Sequence, residues 1–249
     1  MGTLLRYMKS DYIKTKHTPL PIAHMAVPCV MAAVFLVYYA VTPWNAYSKV
    51  QAYYEIMGLG YPFLIGTFCA IVAEQESYAG DYQAMLSVTD RKTAFTSKLF
   101  LMILFGAFSV ILASVLFGTG YYFVLRQDVV KYSFYWRAAF IMLGGNIFLY
   151  IWHMFLALRF NKGISIGLGI AESLLSAVLL TGLGDAVWIF IPAAWASRLV
   201  CSMMAAYSTE ELPVIDCSKG MCICTAVTVT AFIAYVIWCC RWEGGRGGD

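Results

Sequence analysis

Few side chains in this chain could take part in chemistry, and two of them fall inside apolar runs. His153 and Glu172 flank the short segment 159–163. At 1.5 Å per residue, each lies roughly 9 to 12 Å into a helix that meets this segment. A charged group in hydrocarbon costs a few kcal/mol, so such groups usually pair or face a cavity. The pair is either a structural hydrogen bond between two helices or a polar wall of a translocation path.

The cysteines and histidines do not form a metal-binding pattern. Cys222 and Cys224 are two residues apart on a predicted helix and therefore point to different faces. Most cysteines fall in apolar runs, where a thiol behaves as a small apolar group. Cys201 and Cys217 lie in one predicted loop and could form a disulfide that closes it. We therefore expect no metal site.

Sequence motifs for catalysis or nucleotide binding are weak. The chain contains no His-Glu-x2-His and no Gly-x4-Gly-Lys-Ser/Thr. Residues 163–167 match Gly-x-Ser-x-Gly, but they fall at the start of an apolar run predicted to be a helical span, whereas the catalytic form of this motif requires a strand before it. We therefore expect a protein that is not an enzyme and that binds no cofactor itself. If ATP drives it, another polypeptide must bind the ATP and its magnesium.

The elements that position these residues are predicted to be membrane helices. The chain is 61% hydrophobic and 12% charged, too few charges to cover the surface of a soluble domain. A bilayer core of about 30 Å needs about 20 apolar residues per helix. The sequence predicts a single, all-α, polytopic domain over residues 1–249. Its six spans are expected near 22–41, 55–73, 99–117, 134–158, 164–181 and 221–240.

Residues 182–200 are apolar but are interrupted by Gly182, Asp185, Pro192 and Arg198. They could form a seventh span. We favour a re-entrant segment, followed by an outer loop that ends near residue 220, because irregular backbone is tolerated at membrane depth when protein buries it. Six spans would place both termini on one side of the membrane, whereas seven would separate them.

Charge asymmetry predicts the orientation. With the N-terminus inside, eleven of the 17 Lys and Arg residues fall on the cytosolic side and six fall outside. Residues 1–18 are too polar for a cleavable signal peptide. Leu5, Met8 and Tyr12 line one face of this segment, which predicts an interfacial helix stopped by Pro19. We therefore expect a multi-pass protein with both termini cytosolic.

A polar, charged segment, residues 74–92, separates the second and third predicted spans. Read as a helix, it places four side chains on one stripe and leaves charged residues such as Glu76 outside it. The stripe consists of Tyr78, Tyr82, Met85 and Leu86. A short amphipathic helix at this position is well placed to receive force from a partner.

The arrangement Glu76-x3-Gly80, Leu86-Ser87, Arg91 and Lys98, together with the six-span layout, resembles the permeases of second-type ATP-binding-cassette exporters. Within these, the length and the short basic tail resemble the lantibiotic-immunity (bacteriocin self-protection) permeases of bacterial cell membranes. The resemblance implies that residues 74–92 form the coupling helix. Its docking on the ATPase would involve Glu76, Tyr78, Gly80, Tyr82, Met85, Leu86 and Arg91.

The same resemblance implies the partners. They are two copies of a separate ATPase, a second and usually different permease, membrane lipid and a peptide antibiotic as cargo, with no nucleic acid. Two alternatives stay open: an export permease for another amphipathic cargo, and a channel or sensor that ATP does not drive. An amphipathic segment between the second and third spans favours an exporter, since a channel has no need of it.

Overall fold

The computed structural model describes residues 2–205, 207 and 217–243, and the regular elements of this part of the chain are all helical. In chain order they are α1 (Gly2–Thr15), α2 (Leu20–Val41), α3 (Ala46–Tyr78), α4 (Gln83–Leu86), α5 (Arg91–Thr119), α6 (Ser133–Arg159), α7 (Lys162–Leu179), α8 (Pro192–Ala205) and α9 (Cys217–Arg241). A π-helical turn at Gly120–Val124 extends α5, and two short 3₁₀ turns, Gly182–Gly184 and Trp188–Phe190, precede α8.

Within the described residues, six helices are long and apolar enough to cross a membrane: α2, α3, α5 with its π-helical turn, α6, α7 and α9. Five of them contain a predicted span in full, and α7 covers residues 164–179 of the predicted span 164–181, so the chain is an all-α protein of the multi-pass membrane type. The longest single α-helix, α3, has 33 residues and extends beyond the predicted run at both ends. At 1.5 Å per residue it is about 50 Å long, which exceeds the hydrocarbon thickness.

The core lies around α3 and α6, whose most apolar windows are 61% buried, whereas α2, α7 and α9 form the periphery. On α2 the apolar side chains Val34, Val37 and Val41 are 58, 72 and 82% exposed. Such a face suits contact with lipid. The periphery of the bundle therefore exposes apolar side chains, while α3 and α6 supply most of its interior.

Residues 182–200 do not form a long helix. After the two 3₁₀ turns, α8 begins at Pro192 and has 14 residues, fewer than the roughly 20 that a span requires. Helix α8 is packed against α6 so closely that a Cβ added at Gly145 would lie 2.7 Å from the Cα of Ala196. Gly145 therefore permits this contact, whereas a Cβ at the neighbouring Gly144 would have nothing within 4 Å.

Arg198 joins α8 to the end of α7. Its Nε donates to the carbonyl of Leu179 at 2.6 Å, and its Nη2 donates to the carbonyl of Thr181 at 2.7 Å. Nη1 lies 2.8 Å from the carboxylate of Asp185. The planar guanidinium thus satisfies carbonyl groups that the end of a helix leaves without an intrahelical donor.

The bundle has two ends. One, which we call the α1 end, carries α1, the connection between α3 and α5 (residues 79–90), and the end of α9. The other, the opposite end, carries the connection between α2 and α3, where the Asn45 side chain caps α3 by accepting from the Ser48 amide at 2.7 Å. At the α1 end, Leu5 and Tyr12 are exposed while Asp11 is buried against α5.

Candidate functional site

Four charged side chains from α1, α3 and α5 meet at the α1 end, and we call them the ion cluster. Lys98 Nζ lies 2.6 Å from Asp11 Oδ1 and 2.7 Å from Glu76 Oε1. Lys14 Nζ lies 2.9 Å from the same oxygen of Glu76. The Ser97 hydroxyl donates to the second Asp11 oxygen at 2.5 Å. Two anions and two cations balance, and they join the ends of three helices.

The ion cluster buries a residue that the sequence placed at a partner surface. The side chain of Glu76 is 2% exposed and that of Lys98 is 4% exposed, whereas that of Lys14 is 37% exposed. Glu76 lies in the last turn of α3 and faces α1 and α5 instead of the surrounding solvent. The sequence led us to expect Glu76 as a charged contact for an ATPase, whereas its contacts in the structure make it an internal link between α3, α1 and α5.

The expected helix over residues 74–92 is also interrupted. Helix α3 ends at Tyr78, and three consecutive residues then have positive φ: Gly80 at 120°, Asp81 at 48° and Tyr82 at 63°. A right-handed helix cannot continue through such angles. The chain resumes as the single turn α4. At φ 120° only glycine is unstrained, so Gly80 is required by the backbone at this point.

The break rotates the predicted stripe, so its four members do not share one face. Tyr78 is 83% exposed, but Tyr82 and Met85 are 1 and 3% exposed and point into the bundle. Leu86 is half-buried. The exposed residues around the break are Tyr78, Ala79, Gly80, Asp81, Gln83 and Ala84. We call them the exposed tip.

The end of α9 supports the inner side of this connection. The Tyr82 ring packs edge-on against Trp242 with a centroid distance of 5.2 Å, and Phe95 packs against the same indole at 5.4 Å. Arg91 donates to the carbonyl of Leu86 at 3.0 Å and to that of Trp242 at 3.3 Å. The expected contact residues Arg91, Tyr82 and Met85 thus hold the connection in place from inside.

Asp90 sets the start of α5. Its carboxylate accepts from the Thr93 amide at 3.3 Å and from the Thr93 hydroxyl at 2.5 Å, which is an N-cap. The hydrogen bond from the Thr93 hydroxyl lowers the pKa of Asp90 below its usual value. The connection is therefore fixed at both ends, by the ion cluster beside α3 and by this cap on α5.

A second polar group lies inside the bundle, between α6, α7 and α3. His153 Nε2 is 2.8 Å from Glu172 Oε2, so the two residues predicted at matching depths are in contact. The His153 Nδ1 is 3.1 Å from the Ser165 hydroxyl, which donates to the carbonyl of Gly66 at 2.9 Å. His153 is fully buried, and the Glu172 side chain is 18% exposed.

These contacts define what the pair can do. Because the Ser165 hydroxyl uses its one proton on Gly66, it accepts a hydrogen bond from His153 Nδ1. The bond between His153 and Glu172 then holds one proton, either on the imidazole or on the carboxyl group. The pair can therefore act as a hydrogen-bonded lock between α6 and α7.

No disulfide joins Cys201 and Cys217, both of which the structure describes. The thiol of Cys201 points to α3, where its sulfur lies 3.7 Å from Glu55 Oε1. The expected bridge is therefore replaced by a contact between α8 and α3. Across the described residues, no group of three or more His, Cys, Asp or Glu side chains could hold a metal ion.

Sequence reasoning missed Asp11 and Trp242. Asp11 is the only acidic residue among residues 2–15, in a segment with three basic ones, and this isolated carboxylate was a usable signal. Trp242 lies just beyond the last predicted span, 221–240, and the sequence offered no comparable signal for it.

Comparison of the chain with protein-family models, with curated proteins and with solved structures found no match. The class that the structure defines is therefore an all-α protein with the helices of a multi-pass membrane protein.

Proposed function

We propose that this chain is the membrane permease subunit of an ATP-driven exporter, and that the exposed tip docks on a separate ATPase. ATP and magnesium would bind to that partner, of which two copies would serve this chain and a second, different permease. The chain would lie in a bacterial cell membrane with both termini in the cytosol, α1 at the interface and residues 182–220 as a re-entrant segment and outer loop.

The observation that carries the proposal is that the exposed tip directly follows the ion cluster. Tyr78 is 83% exposed, and two residues earlier in the same helix Glu76 is held by Lys98 and Lys14. Force applied at the tip therefore reaches α1 and α5 through buried ion pairs, which resist separation. It reaches α9 through the contact between Tyr82 and Trp242.

A docking role also accounts for the composition of the tip. It presents one aromatic ring, small residues and polar groups, and interface hot spots are enriched in tyrosine. A tip that served only to connect two helices would need no exposed tyrosine. The cargo follows from the resemblance to lantibiotic-immunity permeases: a peptide antibiotic, removed from the membrane to give immunity. The pair His153 and Glu172 would belong to the polar wall of its path.

The test measures association with a candidate ATP-binding-cassette ATPase, for which a gene adjacent to that of this chain would be the first choice. We expect Tyr78→Ala to weaken co-purification about tenfold, equivalent to 1.4 kcal/mol, because it removes the one exposed aromatic ring of the tip. The unfolding temperature should stay unchanged, since the ring is exposed. Leu183→Ala, which removes a 79% exposed side chain at the opposite end, is the matched control and should bind normally.

The ion cluster changes which variants are informative. Glu76→Lys would place a third cation beside Lys98 and Lys14. It would therefore disrupt the ion cluster and would not test docking. Gly80→Trp would be strained by the φ of 120°. Normal ATPase binding and normal peptide resistance with Tyr78→Ala would contradict the proposal and would favour a channel or sensor that ATP does not drive.

A further inference from the structure

A row of polar side chains follows one face of α3 at the opposite end of the bundle. Asn45, Ser48, Gln51 and Glu55 recur at intervals of three or four residues, which places them on one side of the helix. Together with Trp44 and Ala52 they line an open cavity of about 490 Å³. We call this face the polar stripe.

The polar stripe reaches into the apolar zone of the bundle. Glu55 lies nine residues after Ala46, about 14 Å along α3. Two residues before it, the Tyr53 ring contacts Phe35 of α2 at a centroid distance of 5.4 Å. From that level α2 continues toward the opposite end with the exposed aliphatic residues Val37 and Val41. Glu55 is therefore at the depth of a surface that suits lipid.

Glu55 is partly exposed, and its hydrogen-bond partners are neutral. Its Oε1 accepts from Gln51 Nε2 at 2.7 Å, and the Cys201 sulfur is 3.7 Å away. In residues 2–205, 207 and 217–243, no ion pair links Glu55 to a Lys, Arg or His side chain. Two nearby cations are otherwise engaged, because Lys49 donates to the Tyr39 carbonyl and Arg198 donates to the end of α7.

We propose that the polar stripe is a water-accessible binding site for an organic ammonium group. A carboxylate at this depth requires water or a cation, since contact with lipid would cost several kcal/mol. Glu55 supplies the negative charge. Trp44, which is 51% exposed and lies eleven residues earlier at the start of the stripe, roughly 16 Å away, supplies an aromatic face of the kind that attracts ammonium groups before they reach Glu55. A metal ion is the poorer fit because the stripe offers one carboxylate where Ca²⁺ or Mg²⁺ needs several oxygen ligands. The site goes beyond the proposed export function and does not depend on it.

The experiment measures the reaction of a cysteine at position 48 with charged thiol reagents. Full-length Ser48→Cys protein is tested in membranes open on both sides, with a trimethylammonium-bearing and a sulfonate-bearing methanethiosulfonate. Mass spectrometry resolves the labelled position from the native cysteines. We expect the ratio of cationic to anionic rates to exceed that at an exposed reference, Leu183→Cys, about tenfold. In the double variant Ser48→Cys/Glu55→Gln, the ratio of cationic to anionic rates at position 48 should fall to the ratio measured at the reference position.

A competition arm tests binding of the ammonium group itself. We expect millimolar n-butylammonium to slow the labelling of Ser48→Cys several-fold and n-butanol to leave it unchanged. Ile233→Cys, on an exposed apolar face of α9, is the lipid-facing control and should resist both charged reagents. The Glu55→Gln variant should keep its unfolding temperature, because glutamine can still accept from Gln51.

Three results would overturn the proposal. The first is an unreactive Ser48→Cys, which would mean that lipid or another chain covers the stripe. The second is a charge ratio that Glu55→Gln does not change. The third is labelling that n-butylammonium and n-butanol affect equally. None of these outcomes depends on an ATPase, so failure here is distinct from failure of the proposed function.

Discussion

Lys98 of α5 and Glu76 of α3 form an ion pair of 2.7 Å in which neither side chain is more than 4% exposed. The same ammonium group also binds Asp11 of α1 at 2.6 Å. One lysine thus connects three helices at the end of the bundle where the α3–α5 connection leaves it. Removal of one partner from a buried pair leaves the other charge without compensation, which is strongly destabilising.

We therefore predict that Lys98→Ala lowers the free energy of unfolding by about 3 kcal/mol or more. Lys14→Ala is the matched control, because Lys14 binds the same Glu76 oxygen but its side chain is 37% exposed. An exposed partner is screened by solvent and should contribute less than about 1 kcal/mol. Unfolding of the two variants in detergent measures the difference. Equal losses would show that the ion cluster is solvated.

The second prediction concerns the pair in α6 and α7. Glu172→Ala leaves the buried His153 Nε2 without its partner, and we expect a loss of about 1–3 kcal/mol in unfolding free energy. Glu172→Gln retains a hydrogen-bonding group and should lose less. Asp128→Ala, at an exposed position in the connection between α5 and α6, should have no measurable effect. If Glu172→Ala and Asp128→Ala have the same free energy of unfolding, the hydrogen bond between α6 and α7 does not contribute to stability.

The third prediction tests the packing of α8 with two neighbouring glycines. Gly145→Ala would place a methyl group 2.7 Å from the Ala196 backbone and should force α8 away from α6, at a cost of about 1–3 kcal/mol. Gly144→Ala meets nothing within 4 Å and should be neutral, or stabilising by up to about 1 kcal/mol through helix propensity. Thermal unfolding of both variants provides the measurement. A stabilised Gly145→Ala would mean that α8 is packed elsewhere.

The fourth prediction concerns Cys201 and Cys217, the two thiols that the sequence offered as candidates for a disulfide. With Cys201 directed to Glu55, reducing agent should leave the unfolding temperature and electrophoretic mobility unchanged. Alkylation after denaturation without reductant should modify both Cys201 and Cys217. Recovery of a disulfide-linked peptide that contains both residues would refute this arrangement.

The membrane helices were predictable because each depends on a local property, an apolar run of about 20 residues. The contact between His153 and Glu172 was also within reach, since a short turn between antiparallel helices fixes their relative depth. Neither argument requires knowledge of distant parts of the chain.

The α3–α5 connection was not predictable in the same way. Asp81 and Tyr82 adopt positive φ, which sequence does not reveal for residues other than glycine, and this reversal turns Tyr82 inward. The burial of Glu76 depends on Lys14 and Lys98, 62 and 22 residues away in the chain. Helical periodicity describes one helix at a time and contains no information on ion pairs between helices. A charged residue is therefore assigned to the solvent-exposed face.

The length of α3 has a thermodynamic consequence. Glu55 and Glu76 belong to one continuous helix, 21 residues or about 32 Å apart, and Pro62 lies between them. A tilt of that helix would move both residues, so the proposed ammonium group near one end and the proposed protein partner at the other would act on a common equilibrium. Linkage would then require reciprocity: the factor by which the cation changes the partner's affinity would equal the factor by which the partner changes the cation's affinity.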